Sequence, residues 1–120
     1  MKRVFLNKTL QDRLLLEDVT SLMRNPMMGL DEQALKTFEV FIEFLSNRFN
    51  YNQSEPTYWI HEKDYLMLIH YVMICRDAVK GNDIETVKAF LNRSDDLIEQ
   101  FKKVYGDMTK EQITKLFNRL

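Results

Sequence analysis

A helical bundle is the fold that this chain predicts, and three observations carry the expectation. Apolar residues recur at spacings of three and four along most of the 120 residues, and helix-capping residues stand before those runs. Glycine and proline, 3 and 2 in number, are too scarce for the turns of a β architecture. An apolar fraction of 45% and a charged fraction of 29% place the chain among globular proteins. The length suits one core, so the expectation is a single all-α domain over residues 1–120: an antiparallel bundle of four main helices plus a short C-terminal helix.

The first helix is expected to start near Asn7 or Thr9, where Thr9 and Asp12 can satisfy free backbone N–H groups. Leu10, Leu14, Leu15, Val19, Leu22 and Met23 form its apolar stripe, and Asn25-Pro26 ends it because a residue before proline is pushed out of the α region. Met23, Met27 and Met28 around the following connection read first as gap-filling core side chains, with an adaptable binding surface as the other reading. Asp31 caps a second helix that runs to about Phe49. It carries Ala34, Leu35, Phe38, Phe41, Ile42, Leu45 and Phe49 on one face and Glu32, Lys36, Glu39 and Glu43 on the other. Val40 and Phe44 widen the stripe, which makes this helix the expected centre of the bundle.

Residues 50–57 are polar, include Pro56 and read as the longest loop. The third helix is expected from Tyr58 or His61 to Val79, with Tyr65, Leu68, Ile69, Val72, Cys75 and Val79 as its stripe and Gly81 closing it. Asn82 with Glu85 gives a capping-box pattern. Behind it Ile84, Val87, Leu91, Ser94, Ile98, Phe101 and Tyr105 favour one unbroken fourth helix. Gly106 stops that helix, and Thr109 with Gln112 caps a short last one bearing Ile113, Leu116, Phe117 and Leu120. No stretch reads better as a β-strand.

A net charge of −1 supplies no overall field for a polyphosphate, which disfavours general nucleic-acid binding. Lone Cys75 sits in an apolar run and suits a reducing compartment. Neither a signal-peptide core nor the roughly 20 apolar residues of a membrane span occurs, so the expected location is the cytoplasm, of a host or of an infected cell.

Catalytic patterns fail on spacing. His61-Glu62 begins like a zinc-protease helix, but Tyr65 stands where the second histidine is needed, and His70, nine residues on at about 100° per residue, falls on the opposite face. Neither histidine follows a glutamate by three residues, as a di-iron bundle requires, so Glu39 and Glu43 read as a solvated face. Phosphate-binding glycine loops are missing. The sequence therefore predicts no metal, no cofactor and no enzymatic activity.

What remains is recognition. Tyr51, Tyr58 and Trp59 flank the polar loop where aromatic anchors of an interface can be displayed, although Tyr58 and Trp59 equally suit a hydrophobic staple on the third helix. The expectation is a protein-interaction module with a protein partner, a regulator or inhibitor of the kind encoded by phages and mobile elements, with a homodimer as one form of partnership. The alternative is a nucleic-acid accessory subunit using the basic C-terminal residues Lys102, Lys103, Lys110, Lys115 and Arg119, which otherwise read as ordinary helix-end and surface cations.

Overall fold

Five α-helices and one short antiparallel ribbon make up the structure, a computed structural model that describes residues 3–7, 13–48 and 57–120. In chain order they are β1 (Arg3–Asn7), α1 (Arg13–Arg24), a 3-10 turn at Pro26–Met28, α2 (Glu32–Arg48), β2 (Thr57–His61), α3 (Glu62–Ala78), α4 (Glu85–Tyr105) and α5 (Lys110–Arg119). The expected helical bundle is the fold observed, and most helix ends obey local chemistry. Asn25 accepts a hydrogen bond from the Met27 N–H at 2.9 Å, Pro26 begins the 3-10 turn, and Gly29 leaves it at φ 60°. Asp31 caps α2 as expected, accepting from the Ala34 N–H at 2.7 Å. Thr109 and Gln112 complete the full capping box of α5, at 3.1 and 2.8 Å. Thr9 and Asp12 lie outside the described residues.

Two local expectations are corrected. The Asn82–Glu85 box does not form: Ile84 occupies the cap of α4, and Asn82 instead accepts from the Ile84 N–H at 3.0 Å in a turn before it. The expectation of no strand also fails. β1 and β2 pair antiparallel, with Arg3 opposite His61 and Asn7 opposite Thr57, so the third helix begins at Glu62, next to His61, the later of its two expected starts, and not at Tyr58. Thr57-Tyr58-Trp59-Ile60 is composed of β-branched and aromatic strand formers, but its hydrogen-bonding partner stands more than fifty residues away, where no local pattern shows it.

Helices α1, α2, α3 and α4 form a closed ring of neighbours, each packed on the next, with α5 and both strands laid on α3. The central helix is therefore α3, where the sequence pointed to α2. Val40 of α2 is 40% exposed and Phe44 only half-buried, whereas α3 buries residues from Glu62 to Cys75. Phe38 and Phe41 of α2, Tyr65 of α3 and Phe90 and Phe101 of α4 are the largest fully buried side chains. Tyr65 meets Phe101 edge-on at 5.8 Å, and Phe101 stacks on Tyr105 at 4.9 Å. The Tyr105 hydroxyl donates to the buried Glu62 carboxylate, tying the end of α4 to the start of α3.

Polar clamps join the ring from outside. Arg76 of α3 donates to the Leu91 carbonyl at 3.0 Å and to the Ser94 hydroxyl at 2.6 Å, and pairs with Asp95 at 2.8 Å. Ser94 is fully buried and donates in turn to the Leu91 carbonyl at 3.1 Å, so its polarity is satisfied. Arg93 and Asp18 join α4 to α1 at 2.6 Å. Burial pushes the Cys75 thiol up to about 12, which leaves it protonated at neutral pH and structural in role.

The core assignments separate two substitutions. Phe41→Ala should cost about 3 to 5 kcal/mol as an uncollapsed cavity, whereas Ile98→Ala should cost less because Ile98 is only partly buried; chemical unfolding of both variants checks the order. The Tyr65 hydroxyl is buried without a hydrogen-bond partner among the described residues. Tyr65→Phe should therefore leave stability unchanged or raise it by about 1 kcal/mol in the same assay, and a loss of that size would reveal a partner for the hydroxyl.

Candidate protein-interaction groove

Because α3 is apolar around most of its circumference, it carries a second row besides the one facing the core. Met67, Tyr71, Ile74 and Ala78, spaced by four, three and four residues, share one face of the helix. The first three are partly buried and Ala78 is exposed. Helices α2 and α5 pack on either side of α3 without touching one another among the described residues. The row is thus the floor of a groove with α2 as one wall and α5 as the other.

Two cavities mark the groove. One, of about 390 Å³, lies between the start of α2 and the end of α3, with Gln33, Thr37 and Phe38 on one side and Ile74 and Ala78 on the other. The second, of about 260 Å³, lies between α3 and α5, where Met67, His70 and Tyr71 face Ile113, Thr114 and Phe117. Tyr71 is fixed between them by stacking on Phe41 at 5.5 Å and leaning on Phe44 at 5.7 Å. Lys63 sets its ammonium 4.9 Å above the Phe117 ring.

Glu32, Lys36, Glu39 and Glu43 are exposed on α2, and Glu111 is exposed on α5. Asp77, beside the first cavity, pairs with Lys110 of α5. His70 has a buried Nδ1 without a hydrogen-bond partner among the described residues. Its pKa is lowered, first by burial and then by the nearby Lys110 charge, against an opposing pull from Glu111. The neutral imidazole is therefore the form that fits beneath α5.

The residues singled out from the sequence fall elsewhere. Tyr51 lies outside the described residues. Tyr58 and Trp59 stand in β2, opposite Leu6 and Phe5, and not in a loop or in the first turn of a helix. Among the basic candidates, Lys102 lies 3.8 Å from Glu99 and 3.5 Å from Asp107, and Lys110 is taken up by Asp77. Lys103, Lys115 and Arg119 are exposed. Among the described residues no three His, Cys, Asp or Glu side chains converge as a metal site would require. No described helix is long and apolar enough to cross a membrane.

The groove was not visible as a site in the sequence, since a helix apolar on nearly every side shows no second stripe against its first. The signal that would have found it is the row at 67, 71, 74 and 78 once the core row is subtracted. No family model, curated protein or solved structure matches the chain, so its own geometry is the basis for a functional reading.

The lowered His70 pKa has a defined consequence. The folded chain resists a proton that the unfolded chain accepts, so stability is full above the ordinary value of 6.5 and declines as pH falls below it towards the folded pKa. His70→Gln should flatten that part of the stability curve relative to the wild type, measured by urea unfolding from about pH 7.5 to about pH 5. Parallel curves would show that His70 titrates alike in both states.

Proposed function

We propose that this chain is a non-enzymatic protein-interaction module that binds a partner protein in the groove between α2 and α5, and regulates or inhibits that partner by covering its surface. The observation that carries this reading is the apolar row of α3, only partly covered by the two helices that flank it. Contiguous apolar surface that a fold leaves partly open is a recognised mark of an interaction site. Phe44, Tyr71 and Phe117 supply the large, stiff aromatic groups from which binding hot spots are built. The nucleic-acid alternative is weakened by the acids that engage Lys102 and Lys110 and by the exposed Glu32, Glu39 and Glu43 of α2.

Val40→Glu tests the reading at a site exposed enough to tolerate the change. Its unfolding free energy should stay within about 0.5 kcal/mol of the wild type. Tagged wild-type protein, recovered after nuclease treatment from the cells that make it, should carry a stoichiometric protein partner that Val40→Glu and Met67→Glu both lose. A partner retained by both variants would remove the groove from consideration, and recovery of nucleic acid in place of protein would favour the basic residues.

A further inference from the structure

Helix α5 is held differently from the other helices. Each of α1 to α4 packs on two or more helices, whereas among the described elements α5 packs on α3 alone. It buries one residue outright, Ile113, with Leu116 and Phe117 partly covered. The cavity of about 260 Å³ lies directly between the two helices, with Ile113, Thr114 and Phe117 on one side and Leu66, Met67, His70 and Tyr71 on the other. A gap in that position forfeits part of the close contact that would hold α5 down. Lys110 pairs with the exposed Asp77, and Lys63 stands over Phe117, and ties of this kind are modest. Both helix ends at the connection are also self-contained. The Gly106 N–H closes α4 by donating to the Lys102 carbonyl at 2.8 Å, and α5 opens on its own Thr109–Gln112 box, so the end of α4 is satisfied whether or not α5 is docked.

His70 sits where it can control this contact. Its Nδ1 is buried beneath α5 without a hydrogen-bond partner among the described residues. An imidazolium carries a proton on both nitrogens, so protonation sets a charged donor where no acceptor stands. The charges that act on the imidazole are Lys110, which opposes a second positive charge, and more weakly Glu111, which favours it. Both belong to α5 and leave with it, after which the imidazole meets water. We propose that α5 is a detachable arm, which lifts from α3 as one unit while the four-helix ring stays folded, and that protonation of His70 drives the lift. Docked α5 selects neutral His70, and by linkage a proton on His70 selects the open arm. The lift takes away one wall of the groove. Its effect on a partner rests on the groove reading, whereas the opening itself does not.

Hydrogen exchange of the full chain reads the opening, followed residue by residue by NMR from about pH 7.5 to about pH 5 and corrected for intrinsic rates. A helix of 10 residues is marginal once off its support, so a lifted α5 frees its amides to exchange. Residues 114–119 should share one opening constant, at least about a hundredfold larger than that of the buried amides of α3 and α4. That constant should rise as pH falls below 6.5, by at most about tenfold per pH unit, the limit for one proton. Ile113→Ala should raise it at every pH, and His70→Gln should keep the separate opening but remove its pH dependence. If His70→Gln does not fold, the imidazole signals of His70 in the wild type take its place, and a midpoint at or above 6.5 would then refute control by this residue. One opening shared by α5 and the four-helix ring overturns the proposal. So does protection that declines gradually along 114–119, as fraying gives, or a separate opening that ignores pH or keeps its pH dependence in His70→Gln.

Discussion

The constraint on which the rest of the structure depends is that α3 has almost no polar side. A surface helix settles against its neighbours along one stripe and leaves the remainder to water. Tyr65, Leu68, Ile69, Val72 and Cys75 bury completely, and yet Met67, Tyr71 and Ile74 are only partly buried. One layer of neighbours cannot cover such a helix. It is met by α2 and α4 within the ring, by the β1–β2 ribbon and by α5 outside it. The ribbon and α5 are thus coverings for α3, and the groove is the part of its circumference that the coverings leave open.

Electrostatics plays a directing role in this arrangement. Arg76 satisfies buried Ser94 and the Leu91 carbonyl while Asp95 holds it from the solvent side, so α3 and α4 are fixed in rotation as well as in contact. Asp18 and Arg93 do the same between α1 and α4. The pair that joins α5 to α3, Lys110 with Asp77, is more exposed, and pairs of that kind contribute little to stability. Ile113 is the one residue of α5 that is buried outright. The wall of the groove formed by α5 is accordingly held by fewer buried contacts than the wall formed by α2, which rests on Phe38, Phe41 and Leu45.

The helices were legible because their information is local. Proline after Asn25, the Asp31 cap, the Thr109–Gln112 box and the run of apolar residues through Ser94 each act within a few residues, and each appears where the spacing placed it. What failed was nonlocal. The pairing of Phe5 with Trp59 depends on two segments far apart in the chain, and five residues are too few to show a strand period. The rank of α2 and α3 was misjudged for a related reason: a broad apolar stripe says how much of a helix wants cover, but not whether neighbours supply it. Val40 is apolar and 40% exposed, which the spacing of apolar residues in α2 does not show. The aromatic residues at 51, 58 and 59 drew attention as isolated large groups, whereas the groove is built from residues that look ordinary one at a time.

An open apolar groove is compatible with a stable fold here because the floor is already half-covered and already ordered. Tyr71 stacks on Phe41, which is itself fully buried, and leans on Phe44, so its ring is positioned by the core before any partner arrives. Anchors held in this way lose little side-chain freedom on binding, and that loss is one of the main costs that separate buried area from affinity. Met67, Tyr71 and Ile74 are each partly shielded from water, which limits how strongly the open face favours unspecific association.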